Sequence, residues 1–113
     1  MQRVDTKFKS RVYEIVSEIP RGKVMSYGQI AALAGAAWAA WEVGQIAHTG
    51  PANLPWQRVV NKNGGLARGY PGGLDGHKQA LEEDGVSVDQ DYKVNIGELL
   101  WQPVSKDQNS LLL

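Results

Sequence analysis

The sequence predicts one small, mainly α-helical domain built on two short helices joined at a glycine, followed by a turn-rich segment and a last main helix. Three observations carry this reading. Apolar residues recur at spacings of three and four from Val4 to Ile19. A helix start signal at Ser26 is followed shortly by Gly35, a residue suited to a helix end. Beyond Thr49, Gly, Pro and Asn surround short apolar pairs. A chain of 113 residues has room for a single modest core, and residues 1–104 are expected to form it.

Val4, Phe8, Val12, Ile15, Val16 and Ile19 place one apolar stripe on a first helix of about four turns. Pro20 and Gly22 stop it. In Ser26-Tyr27-Gly28-Gln29 the serine can cap the next helix while Gln29 reaches back to its amide. Ile30, Ala31, Leu33 and Ala34 continue that helix to Gly35. A third helix is expected from about Ala37 to Ala47, with Trp38, Trp41, Val43 and Ile46 set among small residues. Thr49 to Pro55 reads as a loop, and Val59-Val60 as a short strand or buried turn. Asn63-Gly64-Gly65 is a tight-turn signal, so residues 58–68 are expected to fold as a small β-hairpin. Asp75 is expected to cap the last main helix, which runs through Glu83 and ends at Gly85. Val86 to Trp101 returns along the core as an accessory segment, and residues 105–113 read as a disordered tail. Two helices around a glycine turn plus a hairpin wing make a winged helix-turn-helix, the plan that sends its second helix into a groove of DNA.

Composition narrows the function. The chain contains no cysteine, which excludes disulfides and a thiolate nucleophile, and His48 and His77 lie too far apart for a local ligand pair, so no metal or cofactor is implied. No apolar run is long enough to span a membrane or to serve as a signal peptide, so a cytoplasmic protein is expected. Net charge is zero but unevenly placed. Residues 1–68 hold nine Lys/Arg against four Asp/Glu, and residues 69–113 hold three against eight. The basic half is the half with the helix-turn-helix.

The stretch Ile19-Pro20-Arg21-Gly22-Lys23-Val24-Met25-Ser26-Tyr27-Gly28-Gln29-Ile30-Ala31-Ala32-Leu33-Ala34-Gly35 resembles the helix-turn-helix entry of the O6-alkylguanine-DNA alkyltransferase family. The match continues through Val43-Gly44, Pro55-Trp56-Gln57-Arg58-Val59-Val60, Gly72-Gly73-Leu74 and Leu81-Glu82-Glu83-Asp84-Gly85, roughly residues 8–86. It implies the family's C-terminal DNA-binding domain without its N-terminal domain. In the enzymes the central motif reads Pro-Cys-His-Arg-Val, and the cysteine takes the alkyl group from a guanine flipped out of the duplex. Trp56 and Gln57 occupy the cysteine and histidine places here. Neither an indole nor a carboxamide supplies an activated lone pair or a base beside it, so no catalytic residue is assigned. The resemblance is therefore to the family's alkyltransferase-like members, which bind O6-alkylguanine without repairing it and present it to nucleotide excision repair.

That resemblance implies a lesion pocket from Trp56, Val59, Tyr70, Gly72 and Gly73, with Trp56 either offering an aromatic wall or filling the volume of the lost thiol site. It gives Tyr27 the role of crowding the target phosphate, unless that ring only packs on the core. Trp41 stands where the family usually has an arginine finger, and reads either as a wedge between base steps or as core. Pro71 replaces a residue, commonly serine, that offers a hydrogen bond, so the loop is stiffer. Arg21, Lys23, Ser26, Gln29, Arg58, Lys62 and Arg68 are the DNA-binding residues implied, with Arg58 equally suited to holding its loop. Asp84 falls where the enzymes have the glutamate that orients their histidine, and is expected to be structural. The function implied is a monomeric, non-enzymatic damage sensor that flips O6-alkylguanine in double-stranded DNA. The alternative is a winged-helix regulator reading intact DNA, which Ala37, Ala39, Ala40 and Gly44 do not equip for base-edge contacts. Residual chemistry at Asp84 or His77 lacks an activated water or a partner.

Overall fold

The computed structural model describes residues 5–103, so Val4 and the expected tail at 105–113 lie outside the described residues. Helix α1, Thr6–Glu18, begins where the Asp5 carboxylate accepts from the Phe8 amide (2.9 Å). It buries Phe8, Val12 and Val16, the stripe expected from their spacing, and Ile19 follows as a buried C-cap. After a turn at Gly22 the chain enters strand β1, Met25–Ser26, and helix α2, Tyr27–Leu33. The start of α2 is the expected capping box: Ser26 Oγ accepts from the Gln29 amide (3.1 Å) and Gln29 Oε1 from the Ser26 amide (3.3 Å). Gly35 then adopts φ +102, the left-handed conformation expected just past the helix.

Helix α3 spans Ala40–Thr49, starting later than expected. Ala39 caps it without a side-chain bond, and its amide closes a turn onto the Ala36 carbonyl, which leaves Trp38 in that turn. A 3-10 turn, Trp56–Arg58, leads into strand β2, Val59–Val60, which pairs in parallel with β1 in the register Met25 to Val59 and Ser26 to Val60. Successive residues of a strand point to opposite faces. Met25 and Val59 accordingly enter a core with α1, α2 and α3, while Val24 and Val60 enter a second one with Leu66, Leu81, Val86 and Val94. The short sheet is the partition between the two cores.

The expected hairpin over 58–68 does not form. Its turn is present, with Asn61 Oδ1 accepting from the amides of Asn63 and Gly65, but its arms take different partners. The arm at 59–60 joins β1, and Gly65 bridges antiparallel to Lys93. The mainly helical domain with its two helices around Gly35 is thus present without the hairpin wing, whose place is taken by a turn held by distant segments. Nor is Val86 to Trp101 accessory. The Val24 amide donates to Leu99 O and the Trp101 amide to Val24 O, Gln29 Nε2 donates to Trp101 O, and a one-turn helix α5, Ile96–Leu99, sits between these contacts and Val94.

Helix α4, Gly73–Glu83, is capped by Gly72 and not by Asp75. Asp75 lies inside the first turn, where its carboxylate accepts from the Tyr92 hydroxyl (2.6 Å). Gly72 (φ +85) and Gly73 (φ +70) are both left-handed, a conformation that costs other residues about 1 kcal/mol or more. This reversal folds residues 70–73 back so closely that a β-carbon on Gly76 would overlap the Pro71 carbonyl oxygen.

Candidate nucleic-acid interface

Two neighbouring features form the site. The first is a groove of about 400 Å³ between α2, α3 and the Asn61 turn, lined by Tyr27, Gly28, Ala40, Trp41, Gly44, Gln45, Asn61 and Lys62. Three of its eight lining residues, Gly28, Ala40 and Gly44, are small, so a ligand can approach the backbone there. A β-carbon on Gly28 would meet nothing within 4 Å, and one on Gly44 would only touch the Tyr27 ring. Trp41 stands at its edge with 71% of its surface exposed, the most exposed large apolar side chain among the described residues. It is not core. Trp38, 44% exposed, lies one turn of chain earlier. Tyr27 packs against the first core, and burial pushes its phenol pKa up, so the hydroxyl stays a neutral donor. Lys62 is exposed and no acidic side chain lines the groove.

The second feature is the Trp56–Arg58 turn with the loop facing it. The Trp56 indole is half-buried, donates from Nε1 to Pro51 O (2.8 Å), and meets the Tyr13 ring edge-on at 6.1 Å between centroids. It also packs against the first core and lies close to Gly50, where a β-carbon would overlap Cζ2 and stand 2.9 Å from Cε2. Gln57 donates from Nε2 to Asp84 Oδ2 (3.2 Å), and its carbonyl receives His77 Nε2 (2.8 Å). Arg58 grips both oxygens of Asp84, through Nε (2.8 Å) and Nη2 (3.0 Å), and donates from Nη1 to Ile19 O (2.9 Å). The Arg58 bond comes first among the causes that hold the Asp84 carboxyl below its ordinary value, against the opposing effect of burial. Tyr70 is stacked on the His77 ring at 4.7 Å.

The chain matches the family described as 6-O-methylguanine DNA methyltransferase, DNA binding domain, over residues 7–86. It belongs to that family. Within it, the chain is 40% identical over 104 residues to alkyltransferase-like protein 1 of Schizosaccharomyces pombe, an alignment covering 86% of this chain and 96% of that protein. It is 38% identical over 103 residues to the DNA base-flipping protein of Escherichia coli, covering 89% and 78%. Its fold superposes with a TM-score of 0.81 and 37% identity on S. pombe Atl1 in complex with damaged DNA containing O6-carboxymethylguanine, over 89% of this chain and 100% of that one. A Mycobacterium tuberculosis OGT bound to DNA superposes at 0.65 with 34% identity, and there the chain spans about half (51%) of the other protein. These likenesses place the chain with the alkyltransferase-like members of the methyltransferase family. Having no cysteine, it lacks the family's nucleophile.

Against the positions that the resemblance to the methyltransferases implies, the structure gathers some residues and reassigns others. Tyr27, Trp41 and Lys62 share the groove. Trp56 and Tyr70 stand on the neighbouring turn, Tyr70 through His77, and Gly72 and Gly73 carry the reversal beneath Tyr70. Val59 does not line a surface: it is 1% exposed and belongs to the first core. Ser26 and Gln29 are engaged in the capping box and the tie to Trp101, and Arg58 in its grip on Asp84, so these three hold the scaffold. Lys23 and Arg68 are exposed, as is Arg21, which also donates to Glu83 O (2.6 Å) at the end of α4. Gln45 and Asn61 were not foreseen in the groove, and His77 was not foreseen as its neighbour's anchor. Only Asn61 had a local signal, in the Asn-rich turn it opens. Among the described residues, no cluster of His, Asp and Glu could hold a metal ion and no helix is long and apolar enough to cross a membrane.

Proposed function

We propose that this chain is a non-enzymatic sensor of O6-alkylguanine in double-stranded DNA, which holds the damaged base flipped out of the helix and leaves the alkyl group in place. The observation that carries the reading is Trp56: a methyltransferase-family domain has, at the place the resemblance gives to the reactive cysteine, an indole whose one polar atom is already bonded to Pro51. That residue can bind a base face and cannot accept an alkyl group from it. Tyr27 crowds the phosphate of the target nucleotide, and the exposed Trp41 enters the stack as it opens. Lys23, Lys62, Arg68 and the free donors of Arg21 supply contacts to phosphate. Tyr70 and the Gly72-Gly73 reversal close over the flipped base, with Arg58 fixing the turn that bears Trp56. The sensor acts as a monomer in the cytoplasm and passes the marked site to nucleotide excision repair.

The test is the affinity for a short duplex with one O6-methylguanine against the same duplex with guanine, at fixed salt, for the wild type and Trp56→Ala. Tighter binding of the lesion, reduced in Trp56→Ala, is the expected result. Equal affinity of the wild-type protein for both duplexes would replace the sensor with a winged-helix protein that reads intact DNA.

A further inference from the structure

His77 is a fully buried polar side chain among the described residues, and its two hydrogen bonds and its ring stack all go to the segments proposed to hold the lesion. Nδ1 accepts from the Ala67 amide (2.9 Å), just before the 68–73 loop. With Nδ1 an acceptor, the proton sits on Nε2, which donates to Gln57 O (2.8 Å), one residue from Trp56. The ring face carries Tyr70 at 4.7 Å and 17° from parallel. One imidazole on α4 therefore fixes the spacing between the Trp56 turn and the Tyr70 loop.

We propose that neutral His77 is the positioning residue of the lesion site, so that protonating it releases the Tyr70 loop and weakens lesion recognition while leaving undamaged-DNA binding unchanged. This rests on the reading of Trp56 and Tyr70 as lesion contacts. A protonated imidazole is a donor at both nitrogens, and Nδ1–H would face the Ala67 N–H with no acceptor between them. Burial, opposed in part by the Gln57 carbonyl, holds the His77 pKa below its ordinary value. The neutral form consequently persists below about pH 6.5, the ordinary histidine value, and the site is lost only as pH falls through the lower native value. The other ionisable groups packed here are the Tyr70 phenol, raised mainly by burial, and the Asp84–Arg58 pair reached through Gln57. Neither changes charge between about pH 5 and pH 8. The other histidine, His48, is exposed at the end of α3, within 3.4 Å of where a β-carbon on Gly69 would stand, and serves as a control.

The experiment is the ratio of affinities for the O6-methylguanine duplex and the guanine duplex from about pH 8 to pH 5, at fixed salt, with far-UV circular dichroism to verify folding at each pH. The proteins are wild type, His77→Gln, which keeps a donor and an acceptor without titrating, and His48→Gln. In the wild type and His48→Gln the ratio is expected to fall with pH, by up to about tenfold per unit below the point where His77 takes its proton. His77→Gln, which loses the ring face under Tyr70, is expected to show a reduced lesion preference at pH 8 and a flat profile. A flat profile in the wild type, the same slope in His77→Gln, or a slope removed by His48→Gln would overturn the proposal. No lesion preference in the wild type at any pH would instead sink the sensor reading on which it stands.

Discussion

Replacing Gly50 by alanine is expected to destabilise the domain by about 2 kcal/mol, and to do so only while Trp56 is present. The backbone at Gly50 (φ −77, ψ 171) is open to any residue, so the substitution carries no conformational penalty. What it meets is the indole: the new carbon would overlap Cζ2 and lie 2.9 Å from Cε2 and 3.0 Å from the Ile46 carbonyl oxygen. The ring cannot retreat cheaply, because Nε1 is tied to Pro51 O and its edge rests against Tyr13. Overpacking of this kind costs about 1–3 kcal/mol, and breaking the indole bond to escape costs about 1 kcal/mol. In a Trp56→Ala background only the Ile46 contact remains. A shift of a few tenths of an ångström relieves it, and the stiffer unfolded chain returns about 0.4–1 kcal/mol. Urea unfolding of the four proteins of this cycle should give a coupling energy of about 2 kcal/mol, a midpoint shift of roughly 1 M that disappears in the double variant. Additive effects would refute the placement of the indole on Gly50, and with it the orientation of Trp56 assigned to lesion binding.

Arg58→Ala leaves the Asp84 carboxylate half-buried with Gln57 alone, and should cost about 2–4 kcal/mol at pH 7 by thermal or urea unfolding. Because the native Asp84 carboxyl titrates below its unfolded value, the pair's contribution is full above about pH 4 and fades as pH falls through the lower native value, so wild type and variant should converge in acid. Trp41→Ala should change the unfolding midpoint by less than about 0.5 kcal/mol, since the side chain is 71% exposed, yet weaken binding of the O6-methylguanine duplex roughly tenfold in a fluorescence anisotropy titration. Gln29→Ala removes the capping box and the tie to Trp101 and should cost about 1–2 kcal/mol of stability, with the affinity for the guanine duplex unchanged under conditions where the variant is folded. A weaker affinity would return Gln29 to the DNA-contacting set.

What could be read from the sequence was what local chemistry decides. The α1 stripe, the Ser26–Gln29 box and the left-handed glycines at 35 and 85 each depend on residues within one turn of one another, and the structure places them as expected. Several of the misreadings involve a distant partner. The Asn61–Gly65 turn was legible, but Val59-Val60 is captured by β1 and Gly65 by Lys93, pairings no turn signal encodes. Asp75 has the chemistry of an N-cap, but the glycine reversal starts α4 before it and Tyr92 takes its carboxylate. On an alanine-rich helix the spacing of Trp38 and Trp41 fits either core or surface, and only their exposure decides. Of the site, the replacement of the nucleophile was plain from the residues at 56 and 57. The burial of His77 was not, because its partners sit ten and twenty residues away.

The same turn explains why a binding protein can occupy a repair enzyme's fold without being a disabled enzyme. The resemblance to the methyltransferases gives position 57 to a histidine and position 84 to the acid that orients it. In this chain those places form a closed hydrogen-bonded unit. Asp84 receives two bonds from Arg58 and one from Gln57, and Gln57 turns its carbonyl to His77. A carboxylate held by three donors is stabilised in its charged form and is a poor proton acceptor, which suits a strut and not a relay. Trp56 is likewise seated: Gly50 leaves room for its ring, the Pro51 carbonyl accepts from its Nε1–H and Tyr13 supports its edge. Loss of the cysteine alone would leave a cavity and an unpartnered base. Instead each group that chemistry would have needed has a structural partner, and among the described residues no buried side-chain polar atom is left unpaired. Such a site can hold the same face to a base through repeated encounters, because nothing in it is consumed by binding.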